Sequence, residues 1–200
     1  MDPFVVMHAI PTEPRAWFLG SAPSTFTAWW RERLIHAIGG LLPVWRGGVT
    51  IDQHVASARA VVGNRAVFVQ MPEGTVSGPA GRIGPFRPGW AVIALRTGAP
   101  ILPVAMAGTE ELYVGRRMAS RVLPVTTLRA LAPDWDGIAP APGSRDELEL
   151  ARRITTSLEA LLGPVVATLH PETVDPPEHR RLLRRRLTWL LLRGGRLDRE

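Results

Sequence analysis

The stretch Met71-Pro-Glu-Gly-Thr-Val-Ser77 gathers groups suited to holding a polar ligand, directly after an apolar run that ends in Phe68-Val69. Glu73 can accept hydrogen bonds from a hydroxyl. Gly74 lets an anion approach the backbone N–H groups of a turn, and Thr75 and Ser77 add two hydroxyls. The same residues also read as an ordinary polar turn in which Glu73 is solvated. A second group is Gly40-Leu-Leu-Pro-Val-Trp-Arg46, which brings one arginine, a planar fork suited to phosphate, to the end of an apolar strand. A lone arginine also reads as a surface charge. Asp2, before Pro3, is a helix N-cap whose carboxylate is compatible with a second role. Ile101-Leu-Pro-Val104, with Gly108-Thr109 following, reads as a core strand and signals no chemistry alone.

Several chemistries are excluded. The chain has no cysteine, so it holds no disulfide, thiolate zinc site or cysteine nucleophile. His8, His36, His54, His170 and His179 show no metal-ligand spacing, and there is no Gly-x-Ser-x-Gly elbow, dinucleotide loop or Walker motif. The 24 basic residues are all arginine, which fits a GC-rich genome, and the net charge of +6 favours an anionic partner. Nucleic acid is not the partner read here, because no reading motif or aromatic platform accompanies the arginines. Eight arginines fall between His179 and Arg199, interleaved with Leu183, Leu187, Trp189 and Leu190. That pattern suits an interfacial helix on anionic lipid, although a solvated terminus has a similar composition. No apolar run reaches the ~18–20 residues that span a bilayer.

The elements that must position these groups alternate. Strands are expected at 17–19, 41–45, 66–70, 101–107 and 122–128. Helices are expected from Asp2-Pro3, from Ser24 to Ile38, and from a capping box at Thr50-x-x-Gln53 to a stop at Gly63-Asn64. Further helices run from Pro88 to Gly98 and from Ser144-x-x-Glu147 to a stop at Gly163-Pro164. Alternation of this kind predicts an α/β domain with a mostly parallel, mixed sheet flanked by helices. The domain is expected over residues 1–177, with a basic amphipathic tail over 178–200.

In order and spacing, these pieces resemble the glycerolipid acyltransferase family, best known for 1-acylglycerol-3-phosphate acyltransferases. Met71 to Ser77 is similar to the family's Phe-Pro-Glu-Gly-Thr-Arg-Ser block, and Gly40 to Arg46 to its Gly-x-x-Phe-Ile-x-Arg block. Gly84-Pro-Phe-Arg-Pro-Gly89, then a helix, then Gly98-Ala-Pro-Ile-Leu-Pro-Val104 resembles the run that follows. The resemblance covers about residues 1 to 112 and implies a glycerol-3-phosphate acyltransferase-like fold. It implies that Glu73, Gly74, Thr75 and Ser77 hold the acceptor, with Arg46 on its phosphate, and that no metal or cofactor takes part. The implied reaction moves an acyl group from acyl-CoA or acyl-carrier protein to a lysophospholipid such as 1-acylglycerol-3-phosphate. The implied setting is bacterial, at the cytoplasmic face of the membrane, to which the protein is bound peripherally.

Two departures stand out. Val76 takes the place of the block's arginine, and Arg82 or Arg87 are the candidates to replace it. The family's His-x-x-x-x-Asp block matches only at its second half, Asp2, so the resemblance puts the general base before Met1 and Asp2 in the role of orienting its imidazole. The chain is therefore expected to be truncated at its start. His54 would serve instead only if its helix pointed at Glu73. The alternative function is a non-catalytic lipid- or acyl-binding remnant of the same fold.

Overall fold

The computed structural model describes residues 6, 8–11, 13–21, 40–44, 50–74, 82–107 and 119–169. The expected helix at Ser24–Ile38, and Asp2-Pro3, Arg46, Thr75, Ser77, Gly108-Thr109 and the 178–200 tail, lie outside the described residues; of the helix expected from Asp2-Pro3, Val6, His8 and Ala9 are described and helical.

Three parallel strands form the sheet on which the rest is organised. Strand β1, Ala16–Ser21, runs between β2, Gly40–Val44, and β3, Val67–Val69. The register sets Trp17 against Gly40 and Phe68. Side chains alternate across the pleat. Ala16, Phe18 and Val69 join Val6, Ile10, Met71 and Met106 in one cluster, while Phe68 points the other way, onto Val55, Ala58 and Ile93. The sheet is thus covered on both faces, as parallel strands require. Trp17 shows how closely the strands are fitted. A Cβ on Gly40 would lie 2.0 Å from Trp17 Cδ2, and Arg15 stacks its guanidinium 5.6 Å from the centre of the same ring.

Helix α1, Ile51–Gly63, carries β2 over to β3 and is started by the capping box expected from the sequence. Gln53 N donates to Thr50 Oγ1 at 3.3 Å and Thr50 N donates to Gln53 Oε1 at 2.8 Å. Val55, Ala58 and Val61 supply its buried stripe. It ends at Gly63-Asn64 as expected, but the left-handed residue is Arg65, with φ 57°.

Helix α2, Gly89–Thr97, is apolar on every side from Trp90 to Leu95 because it is central: all of these are buried. It packs against α1 on one side and the long helix α4, Arg145–Leu169, on the other. Gly98, at φ 67°, closes it in the left-handed conformation that favours glycine. Strands β4, Val104–Ala107, and β5, Ala119–Val122, make an antiparallel pair under α4, and Met106 links that pair to the cluster around β1.

Three expectations are corrected. The strand expected at 122–128 is β5, which stops at Val122 ahead of Pro124. Thr126 then makes a single bridge to Ile101, and Thr127 caps a short helix α3, Leu128–Leu131. The strand expected from Ile101 begins at Val104, because Pro103 offers no N–H to a ladder. Helix α4 does not stop at Gly163-Pro164 but continues to Leu169. Leu158, Leu162 and Val166 extend its buried stripe through the proline. Their burial outweighs the ~3 kcal/mol that an interior proline costs.

Candidate functional site

Parallel strands all point their carboxyl ends to one edge, and the turn carrying Glu73 leaves that edge four residues after β3. Gly74 N donates to Met71 O at 3.1 Å, closing the turn over Pro72 and Glu73, and Gly74 sits at φ 65°. That φ explains the glycine: a β-carbon is strained in the left-handed region. Any β-carbon here would also meet Arg87, whose Nε would be 3.3 Å away.

The segment Ile83–Arg87 lies against this turn. Arg87 N donates to Pro72 O at 2.9 Å, and the Arg87 side chain crosses the face of Gly74. Gly84 faces the Glu73 carboxylate so closely that a β-carbon there would be 2.8 Å from Oε2. The described site is therefore a carboxylate, a glycine turn and an exposed guanidinium, drawn together from positions 73, 74 and 87. Of the residues expected from the sequence, Glu73 and Gly74 are brought together. Asp2, Arg46, Thr75 and Ser77 lie outside the described residues. Of the two arginines offered as replacements at Val76, Arg87 is the one whose side chain is seen against the turn.

His54 is on the first turn of α1, with its Nε2 buried and unpartnered among the described residues. Burial without a partner lowers its pKa. Among the described residues, no carboxylate accepts a hydrogen bond from its ring.

A second polar cluster has a structural role. Arg96, at the end of α2, donates from Nε to Glu147 Oε1 at 2.6 Å and from Nη2 to Oε2 at 2.7 Å. Its Nη1 also reaches Asp52 of α1. Glu147 Oε2 accepts from Gly143 N at 2.7 Å as well. The expected box at Ser144 is thus half formed: Glu147 N donates to Ser144 Oγ, but the Glu147 carboxylate turns to Arg96. The Arg96 hydrogen bonds hold the Glu147 carboxyl below its ordinary range, against the opposing effect of its burial. Three helices are tied together by this one guanidinium. Among the described residues, no group of three histidine, aspartate or glutamate side chains is arranged to hold a metal ion. No described helix is long and apolar enough to cross a membrane.

The fold and the turn define an α/β protein with a polar turn at the carboxyl edge of a parallel sheet. Residues 1–107 match the protein family described as Acyltransferase, and the chain belongs to that family. Among curated relatives, the 1-acyl-sn-glycerol-3-phosphate acyltransferase of Cocos nucifera is 30% identical over 149 residues, 68% of this chain and 44% of that protein. The enzyme of the same name from Limnanthes alba is 34% identical over 84 residues, 40% of this chain and 29% of that protein. The chain thus spans less than half the length of these curated relatives. Among solved structures, the 1-acyl-sn-glycerophosphate (LPA) acyltransferase PlsC from Thermotoga maritima aligns with a TM-score of 0.48 and 19% identity. That alignment covers 80% of this chain and 59% of that one.

Proposed function

We propose that the chain is the transfer domain of an O-acyltransferase. It moves an acyl group from acyl-CoA or acyl-carrier protein to the free hydroxyl of a lysophospholipid such as 1-acylglycerol-3-phosphate. The observation that carries this reading is the Glu73-Gly74 turn with Arg87 laid across it, in a chain that belongs to the acyltransferase family. Glu73 accepts a hydrogen bond from the acceptor's glycerol, and the turn's backbone amides receive its phosphate. Arg87 supplies the cation that Val76 does not, with Arg46 as a second phosphate ligand and the Thr75 and Ser77 hydroxyls alongside. In the transfer step a base removes the hydroxyl proton and the oxygen attacks the thioester carbonyl. The C–S bond then breaks, and the thiolate leaves with the proton. The step consumes only its two substrates, with no cofactor. The base that the resemblance implies is a histidine, and Asp2 orients its imidazole. The arginine- and leucine-rich tail over 178–200 holds the protein to anionic lipid at the cytoplasmic face of the membrane.

The test is transfer of labelled acyl groups to lysophosphatidate, lysophosphatidylcholine and glycerol 3-phosphate, with acyl-CoA and acyl-carrier protein compared as donors. It is run on the chain from Met1 and on the chain with its in-frame upstream coding sequence. Phosphatidate formation is the expected result. Tight binding of lysophosphatidate with no product from either form would favour the non-catalytic remnant instead.

A further inference from the structure

The segment that carries Arg87 is bracketed by Pro85 and Pro88, neither of which has an N–H. Between them only Phe86 and Arg87 can donate from the backbone, and each donates outward. Arg87 N goes to Pro72 O of the acceptor turn, and Phe86 N goes to Glu159 Oε1 on α4 at 2.5 Å. Glu159 is half-buried and lies one turn before Gly163, against which Ile83 of the same segment packs at 3.9 Å from where a β-carbon would stand. Positions 159 and 163 form one stripe of α4, so the helix grips the segment at two points. No cation pairs with the Glu159 carboxylate among the described residues. It is committed to a single backbone amide instead.

We infer that Glu159 is a positioning residue for the acceptor turn. Through Phe86 N it fixes the height of the segment 84–87 above the sheet edge. Gly84 in turn bounds the Glu73 carboxylate, and Arg87 lies on Gly74. Helix α4 is outside residues 1–107, the part of the chain matched by the family. The positioning therefore comes from a part of the molecule in which no acyltransferase motif was read. This inference rests on the reading of the turn as the acceptor's site.

Its consequence is selective. Release of the segment weakens recognition of the acceptor, while the thioester donor, which the segment is not proposed to hold, is used as before. The experiment compares the full chain with Glu159→Ala, Glu159→Asp and Glu159→Gln, by steady-state kinetics in both substrates and by amide exchange at Phe86 and Arg87. Glu159→Ala is expected to raise the acceptor KM about tenfold, the lower end of what a hydrogen bond to a charged group is worth. The donor KM should stay put, and both amides should exchange faster. Glu159→Asp draws the carboxylate back by one methylene, keeps the helix charge, and should behave as a milder version should the alanine variant fail to fold. Glu159→Gln keeps an acceptor oxygen and should restore both the KM and the exchange rates. An unchanged acceptor KM in an active Glu159→Asp or Glu159→Ala protein overturns the positioning role alone. A parent that neither binds nor acylates lysophosphatidate overturns the proposed function, and the inference with it.

Discussion

Gly84→Ala separates the candidate site from the fold that carries it. A β-carbon at Gly84 would stand 2.8 Å from Glu73 Oε2 and 3.5 Å from its carboxyl carbon. The carboxylate must withdraw by about 0.6 Å to restore the 3.4 Å of ordinary van der Waals contact. The colliding atom is the far end of a flexible side chain, and Gly84 is not among the positive-φ residues, so the backbone accepts alanine without strain. Stability should therefore hold or rise by about 0.4–1 kcal/mol, since alanine restricts the unfolded chain more than glycine does. Recognition should suffer. A displaced carboxylate loses much of a charged hydrogen bond worth about 1.5–3 kcal/mol, which is roughly ten- to a hundredfold in kcat/KM for the acceptor. The assay pairs a denaturant titration with acyl-transfer kinetics at varied lysophosphatidate. Full activity in a protein of unchanged stability would refute the reasoning, because it would mean that the position of the Glu73 carboxylate is immaterial. Loss of activity together with lost stability would show that Gly84 serves folding instead.

Arg96→Met strands the buried Glu147 carboxylate and should destabilise the protein by about 3–5 kcal/mol in denaturant titration, whereas Asp52→Ala, at an exposed partner, should cost under about 1 kcal/mol. Because the folded-state pKa of Glu147 is lowered, the stability it contributes is complete above the ordinary glutamate value of 4.5 and is lost as pH falls through the depressed value. Urea midpoints should thus hold from neutral pH to about 4.5 and drop below it, with a smaller drop in Glu147→Gln. Gly40→Ala drives a β-carbon into the Trp17 ring and should cost about 1–3 kcal/mol, read as a lowered Tm. Arg87→Ala should raise the acceptor KM about tenfold or more, with the midpoint of unfolding unchanged, since its side chain is exposed where it crosses Gly74.

The parts of the fold legible in the sequence are those governed by neighbours in the chain. Thr50 and Gln53 announce their capping box three residues apart, and Gly98 marks the end of α2 because only a left-handed residue closes that helix without strain. The turn at Glu73 was legible for the same reason. What the sequence hid depends on distant partners. Gly163-Pro164 looks like a stop until Leu162 and Val166 are seen buried on the core. Glu147 looks like half a cap until Arg96, 51 residues away, claims its carboxylate. Glu159 carried no signal, since one glutamate on an amphipathic helix is ordinary. The hint lay 73 residues away, in two prolines that leave Phe86 and Arg87 as the only backbone donors between them.

The most direct measurement is the rate of acyl transfer to lysophosphatidate by the chain, extended by any in-frame upstream coding sequence, for the parent and for Glu73→Gln, over a range of acceptor concentrations. Gln keeps the size of the side chain and removes the charge proposed to accept the acceptor's hydrogen bonds. The expected result is phosphatidate formation by the parent, and a kcat/KM for the acceptor lowered about tenfold or more in Glu73→Gln at unchanged donor KM. Equal acceptor kinetics in the two proteins, or no transfer by the parent from either acyl-CoA or acyl-carrier protein, would contradict it.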